Sequence, residues 1–255
     1  MWRAAVFWML VMIAEPSSVW ADPATDCGQD EDQDRSIRGC TELIRQDSHD
    51  AVAYTNRGAA YGQRGEIDRA IADFSKAVQI NPKLTDAHYN LGAAHLQKGD
   101  INRAIADFTK AIETNPKSAR AYLYRCRIYA DRKRHERVIS DCTKAIELDP
   151  ELVLAYHVRA ASYQSKGDLE LALLDYDEAL RRDPEYVAAL AGRILVREEA
   201  HSACTQVQDR ARRIRGCSVI IRSSRGEATP ILAMAHLERG LAYRDQGMRA
   251  ESIAA

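Results

Sequence analysis

Six cysteines and seven histidines are the residues of this chain whose chemistry could go beyond packing. The cysteines are Cys27, Cys40, Cys126, Cys142, Cys204 and Cys217. Thiols can bind metal, act as nucleophiles or oxidise to disulfides. No CxxC pair occurs, so thioredoxin-like exchange and a zinc ribbon have no support. Two pairs share one spacing and one context. Cys27 and Cys40 are 13 residues apart, as are Cys204 and Cys217, and RSIRGCTELIR around Cys40 matches RRIRGCSVIIR around Cys217. This reads as a duplicated cross-linked module. An even Cys count in an exported chain favours disulfides, although several connectivities are possible. Cys27–Cys40, Cys126–Cys142 and Cys204–Cys217 are the pairs expected, with buried thiols as the alternative. Closing the 27–40 loop would be worth about 3 kcal/mol in the chain-entropy account. His88 and His95 stand one above the other on a helix face, but no carboxylate or Cys shell accompanies them, so they read as packed rings. No metal site and no cofactor are expected. GxSxG, HExxH and P-loop strings are absent. No catalytic residue is assigned, and the chain is expected not to be an enzyme.

Export is read from residues 1–21, MWRAAVFWMLVMIAEPSSVWA. Arg3 precedes an apolar run from Ala4 to Ala14, which Glu15-Pro16 breaks. A bilayer-spanning helix needs about 20 apolar residues, so this run is too short. Val19-Trp20-Ala21 suits cleavage before Asp22. The expectation is a signal peptide, no stable membrane span after cleavage, and a periplasmic or secreted protein. Trp2, Trp8 and Trp20 all fall in the leader, so the mature chain would contain no Trp.

The elements that position these residues repeat. AYTNRGAAYGQRGEIDRAIADFSKAVQINP at 53–82 matches AHYNLGAAHLQKGDINRAIADFTKAIETNP at 87–116. Two further copies occupy 121–150 and 155–184, and Pro82, Pro116, Pro150 and Pro184 fall 34 residues apart. Such a period calls for a solenoid. In each copy Tyr54, Arg57, Gly58 and Tyr61, or their equivalents, mark one face of a first helix, and Ala70, Phe74 and Ala77 mark a second. Gly65, Gly99 and Gly167 end first helices, and Asn81-Pro82 stops a second, because the residue before Pro avoids the α region. Numbered within a repeat that begins at 51, Cys40, Cys142 and Cys217 share position 24, where Phe74 stands. Cys126 takes position 8, where Gly58 stands. Positions 8 and 24 are equally far from the hairpin turn, so they should face each other.

The pattern resembles the tetratricopeptide repeat (TPR), carried by Leu91, Gly92, Ala104, Phe108 and Pro116 in the second copy. In the first it is carried by Gly58, Tyr61, Ala70, Phe74 and Pro82. His88 and His95 stand where the family has Trp and Tyr, and Tyr54 and Arg57 replace Trp and Leu. The resemblance implies an all-α, right-handed solenoid of antiparallel helix pairs. Its expected organisation is a signal peptide (1–21), a disulfide-linked capping helix module (22–50), and four repeats (51–84, 85–118, 119–152 and 153–186). A degenerate repeat with an insertion and a disulfide (187–228) and an incomplete final repeat (229–255) follow. In the degenerate repeat the second helix, RRIRGCSVIIR at 212–222, arrives seven residues late.

The resemblance also implies that the chain binds an extended peptide or protein on the concave face formed by its first helices. Carried over position by position, the ligand face comprises Thr55, Asn56 and Gln63, then Tyr89, Asn90 and Gln97, then Arg120, Tyr124 and Arg127, and finally His157 and Gln164. The clamp that some relatives use for a chaperone's C-terminal carboxylate is not reproduced: Asn90 and Arg120 fit it, but Thr55, Ala59 and Tyr124 do not. With 36 basic and 37 acidic side chains, the chain lacks the basic excess of a nucleic-acid binder. Charge is nonetheless uneven. Asp26, Asp30, Glu31, Asp32 and Asp34 crowd the mature start, and Arg210, Arg212, Arg213, Arg215, Arg222 and Arg225 crowd the late module. The main expectation is a non-enzymatic binding scaffold of the cell envelope. The alternatives are recognition of an anionic envelope polymer through the Arg-rich 210–225 segment, or a purely structural spacer.

Overall fold

A computed structural model describes residues 22–28, 32–206, 208–223 and 230–245. The leader expected at 1–21, the end of the incomplete final repeat at 246–255, and Asp30, Glu31 and Arg225 lie outside the described residues. The chain divides into two compact units, Met1–Lys98 and Gly99–Ala255. The first contains α1 (Pro23–Asp26), α2 (Gln33–Gln46), α3 (Ala51–Gln63), α4 (Ile67–Ile80) and α5 (Thr85–Lys98). The second contains α6 (Ile101–Thr114), α7 (Ala119–Asp131), α8 (His135–Leu148), α9 (Val153–Lys166) and α10 (Leu169–Arg182), then α11 (Val187–Gln206), α12 (Arg210–Ser223) and α13 (Pro230–Asp245). Within each unit successive helices pack on one another, and no strand occurs among the described residues. This is the all-α fold of helix pairs that the 34-residue period implies.

Local chemistry sets the hairpins. Asn81, Asn115, Asp149 and Asp183 close second helices with extended backbones, as the prolines after them require. Gly65, Gly99 and Gly167 close first helices in the left-handed region, at φ of 77°, 84° and 80°. The third repeat puts Lys133 there instead, at φ 54°, which strains a side chain bearing a Cβ. The small residues sit where helices cross. A Cβ on Gly58 would come within 2.8 Å of the Phe74 ring, so positions 8 and 24 do face each other. Two second helices bury an Ala and aromatic side: Ala70, Phe74 and Ala77 on α4, and Ala172, Tyr176 and Ala179 on α10.

A polar ladder runs beside this apolar seam. Arg57 forks onto Asp73, Arg125 onto Asp141 and Arg159 onto Asp175, each with two hydrogen bonds of 2.7–2.8 Å. The same guanidinium also donates to a hydroxyl on the preceding second helix, Thr41, Thr109 or Thr143. One Arg thus ties its own hairpin to the neighbour before it. These ion pairs are mostly buried, with side chains 15–17% exposed on the Arg and 8–10% on the Asp. Desolvation offsets much of their Coulomb gain, so what they add is register rather than large net stability.

The segment from α11 to α12 departs from this plan. α11 is 20 residues long, and α12 packs against its far half through Ala200, Ala203 and Cys204. Its near half packs instead on α10, where Gly192 meets the Tyr176 ring so closely that a Cβ would lie 2.3 Å from it.

Candidate functional site

Three disulfides join Cys27 to Cys40, Cys126 to Cys142 and Cys204 to Cys217, and no described Cys is free. The two kinds of spacing have two geometries. Cys126 and Cys142 face across a hairpin with Cα atoms 5.6 Å apart, in the place of Gly58 and Phe74. In the 13-residue modules the Cα atoms are closer, 4.5 Å and 4.6 Å. The residue that permits this is a glycine the spacing argument overlooked. A Cβ on Gly39 would sit 2.6 Å from Asp26 Cβ and 2.8 Å from the Cys27 nitrogen. On Gly216 it would sit 2.7 Å from the Ala200 carbonyl and 2.8 Å from the Cys204 nitrogen. The shared Arg-Gly-Cys string carried that signal.

The first-helix residues divide into covered and open ones. Thr55 is a correction to the expected ligand face: it is buried, and its Oγ1 donates to the Ala51 carbonyl at 2.8 Å. Asn56 is half-buried, and its Nδ2 donates to the Cys27 carbonyl at 3.2 Å, so the N-terminal module occupies it. Gln63 is exposed and accepts from Gln33 Nε2 at 3.1 Å. On α5, Tyr89 and Asn90 are half-buried and Gln97 is exposed.

In the second unit the expected residues form a compact aromatic and cationic surface on α7 and α9. Tyr124 stacks on buried Phe108 with ring centres 5.4 Å apart. Arg127 is exposed, and its guanidinium lies 5.6 Å from the Tyr124 centre, within cation–π range. It makes no ion pair with a described residue. Arg120 is exposed one turn or more before it. On α9, His157 packs between Tyr176 and Tyr186, with ring centres at 5.8 Å and 5.3 Å. Burial depresses the His157 pKa and leaves its Nδ1 without a partner, so the ring is held neutral. Burial pushes the Tyr186 phenol up, and the charge of Arg127 partly opposes that shift, which places the cation beside this ring. Gln164 accepts from the Tyr176 hydroxyl at 3.3 Å. Tyr186, just outside α11, was not among the expected residues. It belongs to the linker after Pro184, where no helical period marks it.

The paired histidines of α5 are explained by packing. His88 and His95 are buried. His88 Nε2 lies 3.0 Å from the Pro82 carbonyl and, since a carbonyl only accepts, carries the proton there. Among the described residues no group of His, Cys, Asp or Glu could hold a metal ion, and no helix is long and apolar enough to cross a membrane.

The charged ends are largely self-satisfied. Asp32 caps α2, Asp26 pairs with Arg35 and Asp34 with Arg64. On α12, Arg222 pairs with Glu170, and Arg212 and Arg213 lie 4.0 Å and 3.9 Å from Glu199 and Glu238. A cavity of about 850 Å3 opens between α10 and α12, lined by Lys166, Leu171, Arg215 and Val219 among others. Its rim also holds Asp168, Glu170 and Glu199, so it is not a cationic trough.

A family profile described as TPR repeat matches residues 58–99, and two described as tetratricopeptide repeat match 85–118 and 153–186. A search of curated protein sequences gives no match. Among solved structures, MamA is 25% identical, with a TM-score of 0.57 over 62% of this chain and 92% of that one. YrrB, described as a TPR protein with an unusual peptide-binding site, is 17% identical, with a TM-score of 0.61 over 78% of this chain and 96% of that one. A tetratricopeptide repeat protein from Parabacteroides merdae is 16% identical, with a TM-score of 0.58 over 91% of this chain and 87% of that one. The last two likenesses bear on the fold alone.

Proposed function

We propose that this chain, a tetratricopeptide-repeat protein, is a non-enzymatic scaffold of an exported compartment that holds a protein partner through an extended segment on its first-helix faces. The observation that carries this reading is Arg127. An exposed guanidinium is fixed over Tyr124, beside Tyr186, and has no described carboxylate to neutralise it. A solvent-exposed cation pre-ordered against aromatic rings is a ready anchor, and Arg and Tyr are the side chains that anchor interfaces. Thr55 and Asn56 are unavailable, so the open part of the ligand face is Tyr89, Asn90 and Gln97 in the first unit and Arg120, Tyr124, Arg127 and His157 in the second. Three disulfides support the exported compartment, because such bonds persist where thiols are oxidised. The Arg-rich segment supports a polyanion less well than its composition implied, since Arg212, Arg213 and Arg222 face carboxylates of the same unit.

The test is crosslinked capture from the native envelope with the tagged protein and with Arg127→Glu, read by mass spectrometry. A partner captured by the parent and lost with Arg127→Glu, at unchanged helical circular dichroism, supports the reading. Equal capture across Arg127→Glu, Tyr89→Ala and Asn90→Ala overturns it in favour of a spacer or the late module.

A further inference from the structure

Residues 22–28 lie on the α2–α3 hairpin with little burial of their own. Of the seven only Cys27 is buried. α1 within them has four residues, well below the length at which a helix stands alone. Asp26 pairs with Arg35, but that Arg side chain is 42% exposed, so the bridge holds weakly. Gly39 permits the close approach, and the Cys27–Cys40 bond fastens it. α2 is anchored differently. Its Thr41 accepts from Arg57 at 3.2 Å, its Gln33 donates to Gln63 at 3.1 Å, and its Asp34 pairs with Arg64. The seat of residues 22–28 therefore depends on the disulfide, whereas the seat of α2 does not.

What this segment covers is part of the first-helix face. Asn56 Nδ2 donates to the Cys27 carbonyl at 3.2 Å and lies 3.8 Å from its Sγ, and a Cβ on Gly28 would come 3.7 Å from the same nitrogen. An amide on a first helix that grips the main-chain carbonyl of a non-helical residue makes the bond an extended ligand would make there. The segment and such a ligand exclude each other. Cys27 is also the one half-cystine with any exposure, 7% against 0% for the other five. We propose that Cys27–Cys40 is a redox latch: a dithiol reductant opens it, residues 22–28 leave α3, and Asn56 joins the open ligand face of the first unit. A thiolate of the reductant attacks Cys27 Sγ, the bond to Cys40 breaks, and Cys40 leaves as a thiolate that takes up a proton. The second thiol of the reductant then attacks the mixed disulfide, so Cys27 is released as a thiol and the reductant closes its own disulfide. The other two bonds free no short segment, since each joins two helices of 13 residues or more, α7 to α8 and α11 to α12. The latch takes its purpose from the ligand-face reading, but its test reads the bond and the segment with no partner present, so either can fail alone.

The full chain is equilibrated at defined ratios of reduced to oxidised dithiothreitol, thiols are trapped with iodoacetamide, and peptides are mapped by mass spectrometry. Cys27 and Cys40 should be reduced at a ratio about tenfold below that for the other four cysteines, because packed helices keep those thiols face to face after reduction and a freed segment does not. With only that bond open, hydrogen exchange at residues 24–28 should rise about tenfold or more while α2 and α3 keep their protection. Cys27→Ser combined with Cys40→Ala opens the latch without reductant and should give the same pattern. Asn56→Ala removes the bond to the Cys27 carbonyl and should lower the midpoint ratio about two- to tenfold, the reach of one such hydrogen bond, whereas Asn90→Ala, at the same repeat position on α5, should leave it unchanged. Reduction of either other bond before or together with Cys27–Cys40 overturns the proposal. So does loss of protection across α2 and α3 when that bond opens, since the bond would then be a structural staple. Retained protection of residues 24–28 in the Cys27→Ser, Cys40→Ala variant also overturns it, since Asn56 would stay covered.

Discussion

The Arg–Asp ladder makes a sharp energetic prediction at Arg125. Two hydrogen bonds of 2.7 and 2.8 Å join it to Asp141, and a third of 3.0 Å reaches Thr109. The Asp141 side chain is only 8% exposed. Arg125→Leu leaves that carboxylate buried and unpaired, at a cost of about 3 kcal/mol. Asp141→Leu should cost less, about 1 kcal/mol, because Arg125 is 16% exposed, keeps Thr109 and lies over the Tyr122 ring. Replacing both removes the two charges together, so the double mutant should also lie within about 1 kcal/mol of the parent. The coupling energy is then about 3 kcal/mol, large for a pair in contact. Repeat arrays need not unfold in one step, so the assay is hydrogen exchange of the α7 and α8 amides rather than a single melting curve. A double mutant that costs as much as the two singles added, about 4 kcal/mol, would show that the pair is not what ties these helices together.

Four further outcomes follow from particular residues. Lys133→Gly removes a left-handed backbone with a Cβ and should stabilise by about 0.5–1 kcal/mol after the added freedom of the unfolded chain is counted, seen as a higher thermal midpoint. Gly39→Ala should loosen residues 22–50 by about 2 kcal/mol or more in hydrogen exchange, because its Cβ would meet backbone and Asp26. Gly62→Ala, whose nearest neighbour would be Ala70 at 3.9 Å, should instead stabilise by about 0.5–1 kcal/mol. Burial lowers the His157 pKa below its unfolded value, so its contribution is present above the unfolded pKa and lost as pH falls through the folded one. Melts of the parent between pH 7.5 and 5.5 should therefore lose stability that His157→Phe, which keeps the ring between Tyr176 and Tyr186, does not lose; parallel losses in both would place the pH dependence elsewhere.

Most of the fold was written in periodicity. Prolines at 82, 116, 150 and 184 act locally and fix where second helices end. The Cys126–Cys142 pair was legible for the same reason, since helix geometry brings positions 8 and 24 together, and the other two pairs were legible in their duplicated 13-residue spacing. The ligand face was less legible because a register names a direction, not an exposure. Thr55 points along the expected face but spends its hydroxyl on Ala51, and Asn56 is taken by the Cys27 carbonyl, a contact made only once the N-terminal module folds back. The ladder was visible as Arg and Asp 16 residues apart in three repeats, but each Arg replaces a family Leu and so looked like an irregularity.

The seven-residue delay before α12 shows how one insertion propagates. In sequence it marks a degenerate repeat. In the fold it moves the disulfide module two turns along α11, which is why α11 needs 20 residues. It also separates two jobs that the other hairpins combine. The Cys204–Cys217 bond closes the far end, whereas Arg193 keeps its link to α10 but loses its own carboxylate. The N-terminal module repeats the Gly-Cys closure. Among the described residues α1 has only four, so the described first helix does not extend beyond the cross-link. The same motif therefore cross-links a four-residue first helix at α1 and the far half of a 20-residue one at α11, and the length of the first helix sets how much of it the cross-link covers.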